Sequence, residues 1–241
     1  MKKVLLILLI LAFSFTSHAW DYRDGIKAVI TAKKSGGAGS CADSSCSGFL
    51  VCQNFEGTGY DNSESWTESC GSGATCDEDY SASPLRGAQS YKFTTGTSNS
   101  NVTIDYSAID EVYFFVRLTI ENDQTGTIFI IRSTNTNLFT IGYSSGLNSL
   151  IYNGATGGAA VTLGTTYYIW GYYTKGTGAN EINRAWVSTT STKPETADYE
   201  ITNGSNTEQA NRGLLYDSAN GTGSRFDQVL ISTTEIGDVC E

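Results

Sequence analysis

Residues 111–120, EVYFFVRLTI, alternate without a break. Val112, Phe114, Val116, Leu118 and Ile120 form one set, and Tyr113, Phe115, Arg117 and Thr119 the other. Successive strand residues point to opposite faces, so a two-residue period with one wholly apolar set reads as a strand with that set in a core. Residues 167–173, YYIWGYY, carry five aromatic rings in seven positions. Their sets are Tyr167, Ile169, Gly171, Tyr173 and Tyr168, Trp170, Tyr172, and here parity alone does not say which is buried. The same holds for INRAWVS at 182–188, with Asn183, Ala185 and Val187 opposed to Ile182, Arg184, Trp186 and Ser188.

Outward from these stretches, everything beyond Gly48 is a succession of strand patterns divided by Gly, Asn, Ser and Thr clusters. No segment sustains a helical period, and the chain has 2 prolines and many β-branched and aromatic residues. The fold class expected is all-β, a sandwich of two antiparallel sheets.

The amino terminus is of another kind. Lys2 and Lys3 precede the apolar run VLLILLILAFSF, and Ser17 and Ala19 supply small residues before a cleavage point after Ala19. That is the pattern of a secretory signal peptide over 1–19, and the run is short of the roughly 20 residues a spanning helix needs. The expected protein is secreted, extracellular or at the cell surface, with no membrane insertion. Loss of Lys2, Lys3 and His18 takes the formal net charge from −10 to −12. A surface so acidic repels nucleic acid. It also leaves no histidine, which excludes Ser-His, Cys-His and His-metal chemistry. Any catalysis falls to carboxylates, Tyr, Lys or Arg.

Cys41, Cys46, Cys52, Cys70, Cys76 and Cys240 all lie beyond the signal, and an even count in an exported chain reads as disulfides. Spacing alone does not choose among the pairings. The close pairs CADSSC and CGSGATC suggest Cys41–Cys46 and Cys70–Cys76 as loop clips, leaving Cys52 for Cys240. Residues 20–48 read as an arm, GIKAVITAK, on a Gly/Ser/Cys linker. Added to a neighbouring sheet edge, such an arm would make the protein a structural or adhesive subunit, a homo-oligomer built strand to strand.

The segment order FIIRSTNTNLFTIGY, LIYNGA, VTLGTTYYIWGYYTKGTGANEINRAWVS resembles the middle of the laminin-G-like, concanavalin A-like jelly-roll family. FLVCQNFEGTGYDN (49–62) looks like its opening strand and SRFDQVLISTTEIGD (224–238) like its closing one. The resemblance implies a jelly-roll domain over 49–241, with Ile169 and Gly171 facing the inter-sheet core. Tyr168, Trp170 and Tyr172 would then look outward across the concave sheet, joined by Tyr113, Phe115, Arg117, Arg184 and Trp186. Flat rings stack on the C–H faces of sugars while Arg fixes hydroxyls, so the face implies glycan binding; loops 134–149 and 189–223 would otherwise cover it. The resemblance also implies a structural Ca²⁺ held by Glu56, Gly57 and Asp227, with Asp61 as a further candidate.

Retaining hydrolases of this shape set E-x-D-x-E or E-x-D-x-x-E along a strand. Here Glu121 and Asp123 are followed by Thr125 and Gly126, so the second carboxylate is missing. ENDQTG reads as a plain turn. The expectation is a secreted non-enzymatic, lectin-like domain with no catalytic residue.

Overall fold

The structure, a computed structural model, describes residues 46–56, 66–94 and 96–240. The arm, the signal segment, Cys41, Gly57 and Asp61 lie outside the described residues. Within them the chain forms β1 (Val51–Gln53), β2 (Trp66–Ser69), β3 (Cys76–Tyr80), β4 (Ser90–Phe93), β5 (Ser100–Ile109), β6 (Glu111–Thr119) and β7 (Gly126–Arg132). There follow β8 (Asn137–Ser144), β9 (Ser149–Tyr152), β10 (Thr166–Thr174), β11 (Glu181–Ser188), β12 (Tyr199–Gly204), β13 (Ala210–Asp217) and β14 (Arg225–Ser232). No helix is present among the described residues.

The strands make two antiparallel sheets, as the alternation implied. One runs β12-β11-β10-β6-β14-β4-β3, with β1 also on β14; the other runs β2-β5-β13-β7-β8-β9. The closing strand β14 has β6 along one edge. Its other edge is shared end to end, with β4 beside Arg225 and Phe226 and β1 beside Val229–Ile231. First and last strands are thus neighbours. Segments 134–149 and 189–223 are not long loops: they carry β8, β12 and β13, because their alternating apolar residues have a sheet to pack on.

Val112, Phe114, Val116, Leu118 and Ile120 all enter the core between the sheets, together with Ile169, Phe129, Phe139 and Ile141. Each such side chain contributes roughly 1.5–3 kcal/mol of burial. The parity of β10 is resolved by β6, since Gly171 pairs with Phe114 and Ile169 with Val116. Phe114 packs against Phe129 and Phe139 at 5.2 and 5.1 Å between ring centres, and its ring lies where a side chain of residue 171 would begin.

Strand β14 changes phase. Phe226 and Val229 both face the core, because β14 steps from Phe226 to Gln228 while β6 steps only from Leu118 to Arg117. The extra residue is Asp227, a bulge that sends Leu230 and Ser232 to the outer face.

Cys70 joins Cys76 as expected. Cys46, however, joins Cys52, so the other two expected pairs, Cys41–Cys46 and Cys52–Cys240, are not formed. Cys46 and Gly48 take positive φ of 52° and 89°, and the tight reversal brings the Cα atoms of Cys46 and Cys52 to 5.5 Å. Cys240 is disulfide-bonded as well.

A Cβ on Gly171 would stand 1.9 Å from the Phe114 ring, which is itself hemmed in by two others. Gly171→Ala is expected to cost about 1–3 kcal/mol through overpacking, read as a lower urea midpoint with an unchanged slope. An unchanged midpoint would place the ring elsewhere.

Candidate active site

The outer face of the eight-stranded sheet holds the aromatic and Arg residues that the resemblance placed there. Tyr168, Trp170 and Tyr172 stand in register with Arg117, Phe115 and Tyr113 on β6, and with Ser188, Trp186 and Arg184 on β11. They are brought together, but not as an open platform. Trp170 is 1% exposed. With Phe115, Leu230 and Cys52 it forms a second apolar cluster, capped by Ile236 and Val239 of the segment that follows β14. The indole Nε1 donates to the Gly237 carbonyl at 2.9 Å, so the ring's one polar atom is satisfied by its cover.

The remaining members are also engaged. Arg117 is buried, donates to Asp227 Oδ1 at 3.2 Å and to the Cys240 carbonyl, and lies 4.8 Å over the Tyr168 ring. Tyr113 packs tilted against Tyr172, with ring centres 4.7 Å apart, and donates to Glu111 at 2.8 Å. Arg184 donates to Glu200 Oε1 from Nε and Nη2. Trp186 lies under Lys193 Nζ at 4.0 Å. Lys193 in turn fixes the C-terminal segment, through Glu235 at 2.8 Å and, from its amide, Asp238 at 2.9 Å. The cover is therefore this short segment clamped on 191–193, which carries no periodic pattern.

Beyond the clamp, at the end of the sheet where β6 leaves and β14 enters, a different cluster reaches the surface. Lys92 alternates outward between the core residues Tyr91 and Phe93, and Arg225 pairs with it across β4 and β14. Both cations hold Glu121, just past β6: Lys92 Nζ lies 2.9 Å from Oε2 and Arg225 Nε 2.6 Å from Oε1. Under them lies Tyr80, the last residue of β3, with Lys92 Nζ 4.5 Å and Arg225 Cζ 6.0 Å from its ring centre. The Tyr80 hydroxyl is 3.3 Å from Ser83 Oγ and accepts from Lys92 Nζ at 3.4 Å. Arg225 also donates to the Ser83 carbonyl and hydroxyl.

Hydrogen bonds from Ser83 and Lys92 lower the Tyr80 pKa below the ordinary phenol value. Burial alone would lower Lys92, but its hydrogen bonds to Glu121 and Tyr80 outweigh that and leave the ammonium raised. The cluster thus combines a secured cation pair with a phenol whose pKa is shifted down by its neighbours. ENDQTG is no idle turn, since Glu121 is gripped by both cations, while Asp123 turns away to accept the Tyr143 hydroxyl at 2.8 Å. Glu121 and Asp123 thus face different partners. Sequence reading missed Tyr80, Lys92 and Arg225; an outward Lys inside the apolar SYKF was the one signal available.

The expected cation ligands fare differently. Asp227 is wholly buried, and burial pushes its carboxyl up to about 7 against the pull of Arg117. Its oxygens take Arg117 and, at 3.4 Å, the Ser90 hydroxyl. Glu56 Oε2 accepts the Ala88 amide at 2.8 Å. Among the described residues no group of three His, Cys, Asp or Glu is placed to hold a metal ion; the expected ligands Gly57 and Asp61 lie outside those residues.

No known family's sequence profile matches this chain, and no curated protein does. Among solved structures it is similar to an endo-β-1,4-glucuronan lyase from the fungus Trichoderma reesei. That likeness has 14% identity and a TM-score of 0.56, over 79% of this chain and 98% of the other. It is also similar to the cellulose induced protein Cip1, at 17% identity and a TM-score of 0.58, over 79% and 100%. What is shared is the fold, a two-sheet sandwich of the jelly-roll kind; laminin G is not singled out. The expectation of a non-enzymatic lectin is overturned here, since a sandwich of this form carries a lyase. No helix among the described residues is long and apolar enough to cross a membrane.

Because Trp170 is enclosed, Trp170→Ala is expected to cost about 3–5 kcal/mol, like other buried Trp truncations, and to free the segment 233–240. Denaturant melts and limited proteolysis at the C terminus check this. A cost near that of a surface substitution, within about 0.5 kcal/mol, would mean the ring is open to solvent.

Proposed function

We propose that the protein is a secreted polysaccharide lyase that cleaves a uronate-bearing chain by β-elimination at the Tyr80–Lys92–Arg225 cluster. The observation that carries this reading is the Tyr80 hydroxyl, 3.4 Å from an ammonium and lowered in pKa, beneath two cations on an accessible end of the sheet. β-Elimination asks for that set. Cations on the uronate carboxylate stabilise the carbanion-like charge that develops when the C5 proton leaves, and they act where water is partly excluded. A phenolate takes the C5 proton, the C4–O4 bond breaks, and the proton passes to O4 of the departing chain. No water, metal or histidine is consumed, which suits a chain whose one histidine lies in the signal segment.

The division of labour follows from the geometry. Arg225, a planar donor tied to Ser83, is suited to hold a carboxylate side-on. Lys92 touches both the anion position and the phenol, so it couples substrate charge to the ionisation of Tyr80. Ser83 keeps the hydroxyl turned toward the cations. The fold shared with a glucuronan lyase supports the choice of uronate, and two disulfides among the described residues suit an oxidising compartment.

The test is incubation with polyuronates, glucuronan first, reading the ultraviolet absorbance of the unsaturated product. Tyr80→Phe is expected to lower the rate by about 10²–10⁴-fold, the usual worth of a general base or acid, with stability unchanged. Since the base must be deprotonated, kcat/KM should rise with pH and level off below the ordinary phenol value of about 10. New reducing ends without absorbance, or full activity in Tyr80→Phe, would sink the reading.

A further inference from the structure

Glu121 has no part in the elimination just described, yet it holds both cations that the reaction needs. One oxygen faces Lys92 and the other Arg225, at 2.9 and 2.6 Å. A uronate carboxylate bound for elimination would present its two oxygens in the same way. We infer that Glu121 is an internal stand-in for the substrate carboxylate: it fills the anion seat in the free protein and is displaced when a uronate enters. The inference rests on the lyase reading for the identity of the ligand.

Three observations support displacement rather than a fixed structural bridge. The Glu121 side chain is 26% exposed, more than its partners Lys92 at 19% and Arg225 at 11%, so the carboxylate is the member free to leave. Its backbone is anchored: the amides of Glu121 and Asn122 both donate to the Thr222 carbonyl, at 3.2 and 2.8 Å. Departure is then a side-chain rotation into solvent, with no loop to open. Arg225 has other partners in Ser83, and Lys92 has Tyr80, so the cations keep their positions when the carboxylate goes.

The charges favour an exchange. Two cations face one carboxylate, and Asp77, opposite Lys92 in the β3–β4 register, is exposed and accepts the Asp79 amide. In a chain of net charge −10, two bare cations side by side would attract any passing anion and repel one another. An internal carboxylate keeps the pair poised and asks an incoming ligand for matching charge and shape. Neutral sugars cannot repay the loss of Glu121, whereas a uronate restores both contacts. The cost is a lowered apparent affinity, reduced by the fraction of time the seat is open.

The experiment is a calorimetric titration of wild type, Glu121→Gln and Glu121→Ala with a β-1,4-linked glucuronic acid trisaccharide and with cellotriose. Both variants are expected to bind the acidic trisaccharide at least about tenfold more tightly than wild type, with cellotriose unchanged, and adding Lys92→Met should abolish the gain. Equal or weaker binding of the acidic trisaccharide overturns the inference. So does an equal gain for cellotriose, which would mean that Glu121 only blocks space. Thermal melts precede the titrations, and if Glu121→Ala does not fold, the isosteric Glu121→Gln decides. The two readings fail separately. An acid-selective gain without unsaturated product from any polyuronate removes the lyase and keeps the seat, while product formation without a gain does the reverse.

Discussion

The bulge at Asp227 and the buried ion pair it makes with Arg117 set the layout of everything on the outer face. A carboxylate and a guanidinium taken out of water together are costly unless each is further hydrogen-bonded, and here Ser90 and the Cys240 carbonyl supply bonds from two more segments. The extra residue moves β14 out of phase, so that Phe226 and Val229 both reach the core and Leu230 faces out under Trp170. Without that phase change, Leu230 would enter the core, and Phe115 and Trp170 would lose the neighbour on which the C-terminal segment closes. The same bulge leaves Arg225 in register with Lys92 and Thr119, which is what delivers Arg225 to the open end of the sheet.

The outer face therefore has two characters. Its centre is dry, with indole, phenyl and leucine side chains under Ile236 and Val239, held by a clamp of Lys193, Glu235 and Asp238. Its end is wet and charged. Aromatic rings that would suit sugar stacking serve packing in the first zone, whereas in the second a single ring, Tyr80, lies among cations. Ring packing at the centre and the Lys92–Arg225–Glu121 cluster at the end are thereby separated along one sheet.

How much of this was legible depended on range. EVYFFVRLTI declared its buried set because the period is unbroken, and the likeness to jelly rolls placed Ile169 and Gly171 inward, where they are. FDQVLIS could not be read, because a bulge breaks the parity on which the reading depends. The cover over Trp170 was invisible because TTEIGDV has no period, and what holds it is side chains forty residues away. Spacing found Cys70–Cys76 but not Cys46–Cys52, because the positive φ at Cys46 that turns the chain there is not a property of cysteine spacing. Tyr80, Lys92, Glu121 and Arg225 come from four segments, and each alone is ordinary; they meet only because β3, β4 and β14 are neighbours and β6 ends beside them.

On the proposed reading, an acidic protein facing an acidic polymer meets a conflict that the cluster addresses by distance. Repulsion from the whole surface is long-range and is screened beyond about 8 Å at physiological ionic strength, whereas the attraction of Lys92 and Arg225 acts at contact in a partly buried site and is screened far less. Salt therefore weakens the opposing force more than the favourable one, the reverse of the usual behaviour of a cationic site on a cationic protein. Glu121 fits the same logic, since a carboxylate carried on the chain balances the cations at short range while the chain as a whole keeps its net negative charge.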